Sequence, residues 1–98
     1  METILRELVA EAGAESRKAG DGLEFVNGDR VFAVSNKDAV ELRLTSEIAE
    51  AARRTPDTGA STRGDDWVRL SPRDWDDHAR DRLGAWFRVA WRLADTGS

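Results

Sequence analysis

The chain contains no cysteine and no tyrosine, only two prolines, and a single histidine. Without thiols there are no disulfides, thiolate metal sites or cysteine nucleophiles, and the fold must form without covalent staples. Long apolar runs are missing as well. No window approaches the roughly 20 apolar residues that a membrane span needs. The N-terminal METILRELVAEAG, with acids in its first turns, reads as neither a signal peptide nor an anchor. Nor is there an excess of positive charge: 15 basic residues against 19 acidic ones give a net charge of −4, which argues against bulk electrostatic capture of nucleic acid. Together these absences imply a soluble cytoplasmic protein.

What is present suits one domain spanning residues 1–98 with its core in 23–94, since 98 residues with 40% hydrophobic content can close a single core. Ile4, Leu5, Leu8, Val9 and Ala12 fall in one arc of a first helix from about Glu2 to Ala12, with possible fraying toward Lys18. ESRKAGDG then reads as a charged surface connector. LEFV and RVFAV flank Asn27-Gly28-Asp29, the strongest short-range hairpin cue, and SNKD turns the chain into AVELRL. There Val40, Leu42 and Leu44 share one face while Glu41 and Arg43 take the other. Thr45 or Ser46 caps a short helix that Thr55-Pro56 stops. DTGASTRGD reads as a loop and DWVRL as a fourth strand. SPRD opens a last helix, with Ser71 as N-cap and Pro72 at its first position, running to about Ala94 before DTGS. The predicted fold class is α+β: an antiparallel four-stranded sheet, order α-β-β-β-α-β-α, with a long C-terminal amphipathic helix packed on it.

The segment richest in functional groups is WDDHARDRLGAWFRVAW, Trp75 to Trp91. At 100° per residue Trp75, Ala79, Leu83, Trp86, Phe87 and Ala90 form one apolar face, and Trp91 sits at its edge as a half-exposed contact. That periodicity is what packing requires. His78 falls on the opposite side between Asp74 and Arg82, each four residues away, which is ordinary surface pairing. An enzyme built on His78 with Asp74 would still need a nucleophile or pocket beside them. One histidine and no cysteine leave only carboxylates as metal ligands, without a recognisable cage, so neither metal nor cofactor is expected. GASTRG lacks the spacing of a nucleophile elbow. GDG at 20–22 precedes a strand and is no phosphate loop. RGD at 63–65 is a short chance match.

The second face of the sheet prompts the functional expectation. With helices over Val40, Leu42, Val68 and Leu70, the other face would present Glu41, Arg43, Trp67 and Arg69. An aromatic among arginines suits recognition of a peptide, a partner subunit or a small anion. Equally, Trp67 could lie beneath the 55–65 loop.

LEFVNGDRVFAV, AVELRLTSEIAEAA, DWVRL and AWFRVAWRLA together resemble the MmcQ/YjbR-like and TfoX N-terminal-like small domains, over about residues 23–94. Those families show a glycine-turn hairpin ending in Phe-Ala, a v-x-L-r-l strand, a short helix, a gWv strand and a terminal helix. The proline- and aromatic-containing segment that often precedes the hairpin is replaced here by ESRKAGDG. The resemblance implies the architecture and no catalytic residues. It links some members to DNA or competence regulation.

The resulting expectation is a non-catalytic cytoplasmic module that binds a protein, peptide or small anion through Trp67, Arg69, Arg43 and Trp91. The alternative is a nucleic-acid-associated regulator using Arg80, Arg82, Arg88 and Arg92. Homodimerisation through an open strand edge or sheet face is compatible with both.

Overall fold

The computed structural model describes residues 2–20, 22–36 and 39–96, without the side chains of residues 2 and 96. The chain runs α1 (Glu2–Ala12), β1 (Glu15–Ala19), β2 (Gly22–Asn27), β3 (Arg30–Ser35), β4 (Val40–Arg43), α2 (Ser46–Arg53), β5 (Thr58–Ser61), β6 (Gly64–Leu70) and α3 (Asp77–Thr96). The α+β class and the C-terminal helix are as predicted, but the antiparallel sheet has six strands, not four, in the order β1-β2-β3-β4-β6-β5. The two additional strands are its edges. β1, expected as a connector, is exposed at four of its five positions; β5, expected as a loop, is built from Thr-Gly-Ala-Ser. Edge strands of this kind bury no apolar face, so they carry no alternating pattern to read. Charge on one edge and brevity on the other also suit them to resist pairing with another chain.

Cross-strand register sorts the residues into two faces. One row reads Ser16, Phe25, Ala33, Leu42, Val68, Ala60, and a second on the same side includes Val40 and Leu70. The intervening row, Arg17–Glu24–Val34–Glu41–Arg69–Gly59, points the opposite way. A bulge explains why RVFAV is apolar throughout. The β2–β3 register steps from Phe25↔Ala33 to Val26↔Val31, leaving Phe32 as the extra residue. Phe32 and Ala33 then both reach the core. The preceding hairpin turns on Gly28-Asp29, with Gly28 alone at positive φ, which suits glycine in the first central position.

All three helices contribute to the core on the Leu42 side. α3 lies across β2, β3 and β4, α2 packs on β5 and β6, and α1 leans on α3. Phe87 is fully buried, edge-on to both Phe25 and Phe32 at 5.8 and 5.1 Å. Leu83 and Ala90 continue its stripe, and Ile4, Leu5 and Leu8 close the side.

Helix boundaries are partly shifted from expectation. α1 ends at Ala12 as predicted, where Gly13 at φ 73° turns the chain and donates to the Val9 carbonyl. Thr45 is the cap of α2, its Oγ1 accepting from the Ile48 N–H at 3.1 Å. α3 does not start at SPRD. Asp76 is its cap: its carboxylate accepts from the Ala79 N–H at 2.9 Å, and its carbonyl takes the first helical bond, from Arg80. Ser71 instead donates its N–H to the Asp57 carbonyl, prolonging the ladder between β5 and β6. Trp75 therefore precedes the helix, although it still packs on the core. At its far end α3 reaches Thr96, beyond Ala94; Gly97 and Ser98 lie outside the described residues, as do Lys37 and Asp38 of the SNKD turn and Asp21 of GDG.

Candidate functional site

On the sheet face without helices, three apolar side chains are nearly sealed: Val26, Val34 and Trp67, at 5%, 6% and 9% exposure. Long charged side chains provide much of the covering material on such a face, their stems over carbon and their heads in water. Arg17 pairs with Glu24 at 2.9 Å. Glu41 is itself buried, and its carboxylate accepts from Ser61 Oγ at 2.7 Å and from Arg63 Nε at 3.1 Å. The same Arg63 guanidinium lies over the Trp67 ring, 5.5 Å from its centroid. The β5–β6 turn is thereby fastened onto the face, and Trp67 is a platform under Arg63 rather than an open anchor.

Arg69 differs from its neighbours. It stands directly opposite Glu41, but that carboxylate is already committed to Ser61 and Arg63. On its other flank is Gly59, where an added Cβ would meet nothing within 4 Å. Among the described residues the Arg69 side chain has no hydrogen-bonding or ionic partner. A half-buried arginine beside this open space offers a planar fork of donors to an incoming carboxylate or phosphate.

Arg43, on the same strand face by register with Trp67, leans toward the end of the sheet and pairs with Asp66 at 3.0 Å. There it lines a cleft of about 170 Å³ between the strand ends and the last turns of α3. Arg30, Thr45 and Asp66 complete the polar rim; Phe32, Leu44, Leu93 and Ala94 supply apolar walls.

Of the four residues expected to form one binding surface, Trp67, Arg69 and Arg43 belong to the same part of the sheet. Trp91 does not join them. It sits on α3, on the opposite side, edge-on to Phe32 at 5.5 Å. His78 is exposed in the first turn of α3 and, among the described residues, its side chain makes no hydrogen bond or ion pair; Asp74 precedes the helix. Two of the arginines considered for nucleic acid are engaged internally. Arg82 donates to Thr55, Pro56 and Thr58 and stacks on Trp86, which is half-buried and not fully in the core. Arg88 forks onto Glu11 of α1, both contacts at 3.3 Å. Among the described residues no group of three or more histidines and carboxylates is placed to hold a metal ion, and no helix is long and apolar enough to cross a membrane.

Sequence reasoning passed over Arg63 and Arg30 and read Thr45 only as a helix cap. Arg63 lay in a segment read as loop. Its role depends on a hairpin that brings it 22 residues back to Glu41, and no local spacing signals that. A buried glutamate in the middle of AVELRL was the available clue, because a carboxylate there requires a partner.

No family model matches the chain, and no curated protein matches it. Among solved structures it is similar to the crystal structure of a structural-genomics target protein from Pseudomonas syringae, with a TM-score of 0.72 and 11% sequence identity, covering 95% of this chain and 97% of that one. At that identity the likeness establishes a shared fold.

Proposed function

We propose that this protein is a non-catalytic cytoplasmic binding module that recognises an acidic segment of a partner protein on its helix-free sheet face. The observation that carries the reading is Arg69: a half-buried residue whose guanidinium has no partner among the described residues, next to the open space over Gly59. A carboxylate arriving there gains a bidentate, charge-assisted bond without breaking one already made. Arg63, over the Trp67 ring, is neutralised by Glu41, so Arg69 carries the unbalanced positive charge of this pair of strands, and that charge disfavours cationic partners. We also propose kinship with the MmcQ/YjbR-like and TfoX N-terminal-like domains, on the hairpin, strand and terminal-helix residues that resemble them.

The test is fluorescence anisotropy of a labelled Glu/Asp-rich peptide at low ionic strength, with wild type, Arg69→Ala and Arg80→Ala. Arg80 is exposed on α3, away from this face. Loss of one bidentate charge-assisted bond weakens binding about tenfold or more in Arg69→Ala, and Arg80→Ala binds as wild type does. No binding by wild type, or equal binding by all three, overturns the proposal. Preference for a DNA duplex with a steep salt dependence would reassign the arginines to nucleic acid.

A further inference from the structure

We infer that the cleft at the open ends of β3 and β4 is a second binding site, specific for a small apolar monocarboxylate. Three observations converge on it. The first is its size: about 170 Å³, close to the roughly 150 Å³ of a dry apolar cavity that takes up benzene, and too small for drug-sized ligands, which occupy about 300 Å³ or more. It accommodates one ring or a short branched chain.

The second is the wall. Leu93 and Ala94 of α3 offer half-exposed carbon surface, with buried Phe32 and Leu44 packed beneath as the floor, and a ligand body laid against them leaves water.

The third is the rim. Arg43 is neutralised by Asp66, but Arg30, which lines the same cleft, has no side-chain partner among the described residues. The lining therefore carries one uncompensated positive charge. Thr45 Oγ1 accepts from the Ile48 N–H to cap α2, and among the described residues its hydroxyl hydrogen has no acceptor. One free guanidinium and one free hydroxyl donor answer to the two oxygens of a single carboxylate.

These positions also set the orientation. The polar groups come from the strand ends and from the N-terminal end of α2, whereas α3 contributes only Ala90, Leu93 and Ala94. The carboxylate points to the sheet side and the apolar body lies along α3, which keeps the anion away from the negative end of that helix.

The site is separate from Arg69, so the experiment separates the two readings. ¹⁵N-labelled protein is titrated with benzoate, with benzyl alcohol as the neutral isostere and with benzylamine as the cationic one. Benzoate should give saturable amide shifts in Arg30, Phe32, Leu44 and Leu93, with a dissociation constant in the millimolar range. The two isosteres should bind at least about tenfold more weakly. Arg30→Ala should weaken benzoate by a similar factor, and Ala94→Leu should abolish binding by filling the cleft while leaving every charge in place. Arg69→Ala should bind benzoate as wild type does. Absence of saturable shifts, shifts centred elsewhere, equal binding of benzyl alcohol, or indifference to both cleft variants overturns the inference. Loss of benzoate binding in Arg69→Ala overturns the separateness of the two sites.

Discussion

Arg82 commits its guanidinium to a single turn of the chain. Its Nη2 donates to Thr55 Oγ1 at 2.8 Å and to the Pro56 carbonyl and Thr58 Oγ1 at 2.6 Å each. Its flat face covers Trp86 at 5.2 Å. The group thus fastens α3 to the α2–β5 connection and shields an otherwise open indole. Arg82→Ala should destabilise the fold by about 1–3 kcal/mol, since it removes charge-assisted bonds and leaves their acceptors partly dehydrated. Arg82→Lys should recover only part of this, because an ammonium can reach the same acceptors but does not stack on the Trp86 ring as a guanidinium does; urea unfolding checks both. From sequence the residue looked like the i+4 neighbour of His78. Its true partners lie 24–27 residues earlier, a separation at which spacing along a helix says nothing. The same limit hid Arg63, whereas the shared sheet face of Trp67, Arg69 and Arg43 was legible because strand alternation alone places them.

At the scale of elements, apolar patterning and turn signals revealed α1 over its full length, the stripe of α3 and the four central strands. Where it failed, side chains had no apolar face to bury or two start signals competed. Ser71-Pro72 and Asp76 both offer a beginning for α3. The chain uses the later one because the Ser71 N–H is drawn into the sheet by Asp57. Asp76→Ala should therefore cost about 1 kcal/mol through loss of the Ala79 bond. Ser71→Ala should change stability by less than about 0.5 kcal/mol. If the larger loss falls on Ser71, the helix starts where the sequence first suggested. Two glycines should behave oppositely. A Cβ on Gly22 would collide with the Ser35 backbone carbonyl, so Gly22→Ala must distort the β2–β3 pairing and lower the melting temperature. A Cβ on Gly84, in the middle of α3 facing Leu8 and Arg88, would meet nothing closer than 3.5 Å. Gly84→Ala should stabilise by about 0.5–1 kcal/mol, the usual gain over glycine inside a helix.

At the scale of the whole molecule, the proposed function has the sheet separate stability from recognition. Its helix side holds the aromatic cluster of Phe25, Phe32 and Phe87 and the layer of three helices. Its other side is closed by ion pairs, leaving Arg69 with an unmet charge. The expectation of one binding surface that included Trp91 mixed these two sides, because a helical wheel does not say which sheet face a helix covers. Heteronuclear NMR tests most directly the proposal that the helix-free face is the recognition surface. On titration with the acidic peptide, amide shifts should concentrate in Glu41, Trp67, Val68 and Arg69, with Gly59 beside them and the Trp67 indole following. Shifts confined to α1 and α3, or none that saturate, would contradict it.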